Sequence, residues 1–210
     1  MLDRHVGTGE VEIITPLVDI FDRAAFAREV ERAGTPASKA DLIASRTART
    51  IRVRMDDDPV FYRRFSELLE QTIAEWRAQR ISELEYLTRV QDVSAKVIER
   101  PVDEVPALVR YDPVTTAYYG LVKEKLSKYE PDQARLEAIG ADAAVAISEI
   151  IDGRRVVNWT ENTDVQNRMK TEIEDKLVEM RDRHDVPLTW DDIDGVLDAV
   201  LSVARRRKAV

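Results

Sequence analysis

Aspartate followed directly by proline is the pattern that most restricts this chain, because it dictates where a helix begins. At Asp58-Pro59 and again at Asp112-Pro113 the carboxylate is placed to accept unpaired N–H groups of a first helical turn, and proline there has no N–H to strand. Behind Pro59, Phe61, Phe65, Leu68, Leu69, Ile73 and Trp76 recur at helical intervals and form one apolar face. Such a face needs a partner to cover it, which predicts helices packed on helices.

The same punctuation runs along the chain. A first helix is expected over residues 17–33, stopped by Gly34-Thr35-Pro36. Ser38 is the expected cap of a second, reaching residue 54, and the Pro59 helix is expected to end near residue 80. Ser82 opens a fourth with Glu85 at capping-box spacing, lined by Leu87, Val90, Val93, Val97 and Ile98 until Pro101. A fifth helix carries Val114, Tyr118, Leu121, Val122 and Leu126. The sixth, residues 132–151, carries Leu136, Ile139, Ala143, Ile147, Ile150 and Ile151, with Gly140 either a weak point or a close helix crossing. Val156-Val157-Asn158-Trp159 reads as an extended connector before a seventh helix, capped by Asn162 or Thr163 and bearing Val165, Met169, Ile173, Leu177 and Met180. Thr189 and Asp192 box the start of the last, whose Ile193, Val196, Leu197, Val200, Leu201 and Ala204 line one face and whose final arginines suit its negative end.

The expected fold is therefore all-α, a bundle of about seven or eight amphipathic helices. Three prolines between residues 99 and 113 mark the longest loop and the best place for a hinge. The division that follows is an irregular segment at 1–16 with a short extended stretch at 11–14, a lobe at 17–100, a linker at 101–113 and a second lobe at 114–210. A chain of 210 residues buries enough surface to need no disulfide or metal, and it contains no cysteine. That rules out thiolate metal sites and cysteine nucleophiles and fits a reducing compartment. No apolar run approaches a membrane span, so a cytoplasmic location is expected. Net charge is -8, so any contact with nucleic acid must come from a local basic patch.

Catalytic patterns are weak. No glycine precedes a lysine, which excludes a P-loop. Pro131-Asp132 with Glu174-Asp175-Lys176 imitates a restriction-nuclease signature, but Glu174 and Lys176 sit two apart on a helix and point in different directions. Asp191, Asp192, Asp194 and Gly195 imitate a calcium loop, yet the register puts Trp190 first and Leu201 last, neither a ligand. His184, between Asp182 and Asp185, reads as a helix-terminus residue. The expected site residues therefore include none that is catalytic, cofactor-binding or metal-binding.

The one candidate surface is a basic stripe, Arg46, Arg49, Arg52 and Arg54, able to follow a phosphate backbone or to bind acidic neighbours. Of the three tryptophans, Trp76 fits a core stripe and Trp190 a staple at the last helix. Trp159 plugs the bundle or forms a partner interface.

Several stretches carry a family likeness: Val18-Asp19-Ile20 leading to Phe26, Ser38-Lys39-Ala40, the Asp56 to Ser66 run, Ile81-Ser82-Glu83, Val157-Asn158-Trp159-Thr160-Glu161-Asn162, Val165-Gln166-Asn167-Arg168-Met169, and Leu188-Thr189-Trp190-Asp191-Asp192-Ile193-Asp194 with Ala204-Arg205-Arg206-Arg207. Together they resemble the helical region at the C-terminal end of the restriction (motor and endonuclease) subunit of type I restriction-modification enzymes. The resemblance implies a non-catalytic region that docks an ATP-driven, magnesium-dependent DNA-translocating and cleaving subunit onto the methyltransferase core. Its implied partners are the methyltransferase and specificity subunits, the motor domains of its own subunit and double-stranded DNA. Starting at Met1, the chain would be an excised piece, a truncated product or a split subunit. The competing expectation is a free-standing helical module for protein interaction or DNA binding.

Overall fold

The computed structural model describes residues 18–101 and 105–207, and the stretch expected to be extended at 11–14 lies outside them. Among the described residues the fold is all-α, with eight α-helices: α1 (Arg23–Arg32), α2 (Pro36–Arg54), α3 (Pro59–Arg77), α4 (Glu83–Glu99), α5 (Pro113–Leu126), α6 (Gln133–Arg154), α7 (Thr163–His184) and α8 (Trp190–Arg207). The side chains of Asp58, Ser82, Asp112 and Asn162 accept N–H groups of the turns that follow them, so local capping sets these four starts. Two boundaries differ from expectation. Residues 18–21 precede the first helix, which is capped by Asp22, and α2 is capped by Thr35 with Pro36 in its first turn. Proline fits the first turn and not the segment before a later cap at Ser38, so the helix starts earlier.

The helices enclose two apolar cores. The first gathers Ile20, Phe26, Ile43, Ile51, Tyr62, Phe65, Tyr86, Val90 and Val97 from the chain up to the end of α4. Here α2 and α4 run in the same direction: Glu83 accepts from the Ala37 N–H at 2.8 Å, and the Tyr86 hydroxyl donates to Asp41 at 3.0 Å. Burial, reinforced by the Asp41 carboxylate, pushes the Tyr86 phenol up to about 12. Trp76, half-buried, stacks on Tyr86 with centroids 5.2 Å apart. The expected face of α3 is rotated slightly, with Tyr62 buried and Leu68 exposed.

The second core gathers Tyr118, Leu121, Val122, Leu126, Ile139, Ile147, Trp159, Met169, Ile173, Val200 and Leu201 from α5 to α8. A Cβ on Gly140 would meet the Tyr119 ring at 3.2 Å, so glycine marks a close crossing of α5 and α6. The stretch before α7 is a compact turn and not an extended connector: Asn158 is left-handed at φ 58° and Trp159–Glu161 form a 3-10 turn. At the opposite end Asp192 closes the lobe. Its carboxylate accepts from Lys128 at 2.7 Å, Tyr129 at 2.6 Å and Thr189 at 2.8 Å, tying α8 to the α5–α6 turn.

Between the lobes lies the short turn Met55–Asp57. Asp58 pairs with Arg100 at the end of α4, whose guanidinium also sits 4.5 Å from the Phe61 ring centroid. Asp57 reaches the other lobe, meeting Arg206 at 3.3 Å and Arg207 at 3.7 Å. Arg63 pairs with Glu124, and Gly120 lets α5 approach Val60, whose Cβ would lie 3.4 Å from a Cβ added there.

These carboxylates titrate in opposite senses. Burial pushes Asp58 above the ordinary carboxylate range despite Arg100, so its contribution is fully present at low pH and lost as pH rises through its folded pKa. The Lys128 and Tyr129 hydrogen bonds hold Asp192 well below that range, so its contribution is present at neutral pH and lost on acidification. Denaturation curves should show Asp58→Ala lowering stability by about 1–3 kcal/mol at neutral pH and Asp58→Asn, which still caps, by less than half of that. For Asp192→Asn, the deficit relative to wild type should be large at pH 7 and shrink below about pH 4.

Candidate nucleic-acid and partner surfaces

Helix α2 buries Ala40, Ile43, Ala44, Thr47 and Ile51, which turns the arginines at 46, 49 and 52 away from that face. They do not form one continuous stripe. Arg46 points at α1, where its Nε donates to Glu29 at 3.3 Å and a second N–H pairs with the same carboxylate, leaving the side chain 14% exposed. Arg54 lies over the Phe21 ring, 4.2 Å from its centroid. Packing of the chain before α2 thus engages two of the four. Arg49 and Arg52 are exposed, with no hydrogen bond or ion pair among the described residues.

The fold adds residues that local sequence patterns hid. The end of α8 lies against the end of α2: Arg206 donates to the Val53 carbonyl at 3.4 Å while holding Asp57 with Arg207. Arg205 donates to Gln166 at 2.6 Å, and the Gln166 amide donates to the Trp159 and Thr160 carbonyls. Arginines that suit a helix dipole therefore also meet the end of α2 across the lobe junction. No signal in the local sequence points to that pairing, since Arg206 and Asp57 lie 149 residues apart.

Trp159 is 1% exposed and belongs to the second core. A ring enclosed to this degree fits the first of its two readings, a plug of the bundle. Trp190 is exposed, with the Arg181 guanidinium 5.3 Å from its ring centroid. Other apolar side chains do face outward. The turn between α5 and α6 makes the two helices antiparallel, so the start of α5 sits beside the end of α6. Leu108 and Tyr111 precede the first, and Val156 and Val157 follow the second; Tyr111 is 86% and Val157 84% exposed. The buried Tyr118 phenol on α5 is pushed up by burial and by the Asp152 and Asp112 carboxylates.

The imitated catalytic patterns take structural roles. Asp132 caps α6 through the Arg135 N–H at 2.9 Å, Lys176 pairs with Glu179 at 2.8 Å on α7, and the His184 carbonyl accepts from Arg135. Among the described residues no three His, Asp or Glu side chains converge as a metal centre requires.

A family model described as Type I restriction enzyme HindI endonuclease subunit-like, C-terminal, matches residues 9–208. The chain belongs to this family. No curated protein and no solved structure matches the chain. For this type I restriction endonuclease region, the eight helices are thus the architecture of the C-terminal part of such a subunit. No described helix is long and apolar enough to cross a membrane.

Thermal or chemical denaturation separates the arginines. Arg46→Ala should cost about 1–2 kcal/mol through its stranded, half-buried Glu29, whereas Arg49→Ala and Arg52→Ala should stay within about 0.5 kcal/mol of wild type.

Proposed function

We propose that the chain is a docking scaffold of a type I restriction endonuclease subunit, joining the ATP-dependent DNA-translocating and cleaving parts to the methyltransferase core and performing no catalysis itself. Family membership supports the context, and the exposed end of the second lobe supports the docking role. Leu108, Tyr111, Val156 and Val157 stand outward on two loops at the start of α5 and the end of α6, exposed among the described residues. Exposed aromatic and β-branched side chains grouped this way suit burial against another protein. The partners in this reading are the methyltransferase and specificity subunits and the motor domains. In this reading ATP and magnesium act in those motor and nuclease parts, and the assembly works in the cytoplasm with its DNA.

The test is assembly of the complete subunit with the methyltransferase core, followed by size-exclusion chromatography or interferometry. Tyr111→Ala combined with Val157→Ala should weaken assembly at least tenfold while leaving the melting temperature unchanged, because hot-spot truncations of exposed anchors commonly exceed about 1–2 kcal/mol. Unchanged assembly would remove this surface from the reading.

A further inference from the structure

The basic junction between the lobes has a chemistry of its own. Arg49, Arg52 and Arg54 come from the last turns of α2, and Arg205, Arg206 and Arg207 from the last turn of α8, which Arg206 fastens to the Val53 carbonyl. Among the described residues the carboxylates at this corner are Asp56 and Asp57 on the intervening turn and Asp19, which shares a small cavity with Arg49 and Arg54; Asp58, which also acts on Arg207, is paired with Arg100. Two helix C-termini also end there, each worth about half a negative charge. Six guanidinium groups exceed that total, so the corner stays positive in a chain of net charge -8.

Pairing inside the protein does not absorb this excess. Asp57 is one carboxylate shared by two arginines, and Arg49 and Arg52 have no partner among the described residues. Asp57 instead acts as a bracket. It fixes Arg206 and Arg207 beside the end of α2, so these two groups are held in place before any ligand arrives, which reduces the entropy lost on binding.

We propose that Arg49, Arg52, Arg206 and Arg207 form a composite site for the phosphate backbone of duplex DNA. Guanidinium groups clustered at one corner pair with phosphates and read no base, so the contact is independent of sequence. The acidic remainder of the surface repels the duplex and restricts its approach to this corner. An acidic protein segment is the competing occupant. It is disfavoured because the cavity beside the array holds about 190 Å³, below what a seated ligand group needs, and Val53 is the single large apolar side chain exposed on α2. The proposal is independent of the docking role, although both surfaces lie towards the end of the second lobe where α5 and α7 begin.

Fluorescence anisotropy of the full chain with a labelled duplex of arbitrary sequence tests this. With four phosphate contacts, affinity should fall about 100-fold between 50 and 200 mM salt, and for Arg49→Ala with Arg52→Ala about tenfold over the same range. Arg49→Lys with Arg52→Lys should keep most of the salt dependence, since lysine still supplies the charge. Arg46→Ala, which removes an arginine already bound to Glu29, should change duplex affinity less than about twofold. Absent or salt-insensitive duplex binding overturns the proposal, as does displacement of the duplex by polyglutamate at lower charge concentration than by unlabelled duplex. A loss for Arg46→Ala equal to that for the Arg49 and Arg52 pair would also overturn the composite site. Loss of duplex binding with intact assembly on the methyltransferase core separates this site from the docking surface.

Discussion

The acidic corner at Asp57 and Asp58 is the constraint on which both lobes depend. Asp58 faces inward: it begins α3 by accepting the Phe61 N–H, and it holds Arg100 at the end of α4. Asp57 faces the other way and takes two arginines from the last turn of α8. Adjacent residues thus close one core and join it to the second. Burial holds Asp58 above the ordinary carboxylate range, while the Arg100 guanidinium and the Phe61 N–H act in the opposite sense.

Local devices made the helices legible from sequence. A cap and its proline act within one turn, so Asp58-Pro59 and Asp112-Pro113 announce helix starts without knowledge of the fold. Thr35-Pro36 carries the same signal, and Ser38 obscured it only because serine also caps well. Apolar spacing located the faces of α4, α7 and α8, but on α3 it favoured Phe61 and Leu68 over Tyr62, whose hydroxyl makes burial hard to foresee.

The candidate surfaces were far less legible, because charge pairs depend on which helices become neighbours. Arg46 and Arg49 look equivalent along α2 until α1 brings Glu29 to one and not the other. Asp192 looked like a member of a capping box, and its N–H does meet the Thr189 hydroxyl, yet its carboxylate also takes Lys128 and Tyr129 from a turn more than sixty positions earlier. Trp159 was open to two readings, a plug of the bundle or a partner contact; the left-handed Asn158 precedes a turn in which the ring is buried in the second core.

Charge in this chain mostly serves internal order. Arg63, Arg89, Arg100, Arg135 and Arg154 each find a carboxylate, several of them across helices. Exposed pairs of this kind contribute little stability individually, but they neutralise basic groups that would otherwise attract polyanions without discrimination. Against that background an arginine left unpaired carries more information than an arginine-rich sequence does. Among the described residues Arg49 and Arg52 stay outside the network while two arginines from the far end of the chain are bracketed at the end of the same helix, and the resulting positive corner owes its position to tertiary packing. A polyanion approaching this otherwise acidic surface meets attraction where the two lobes join.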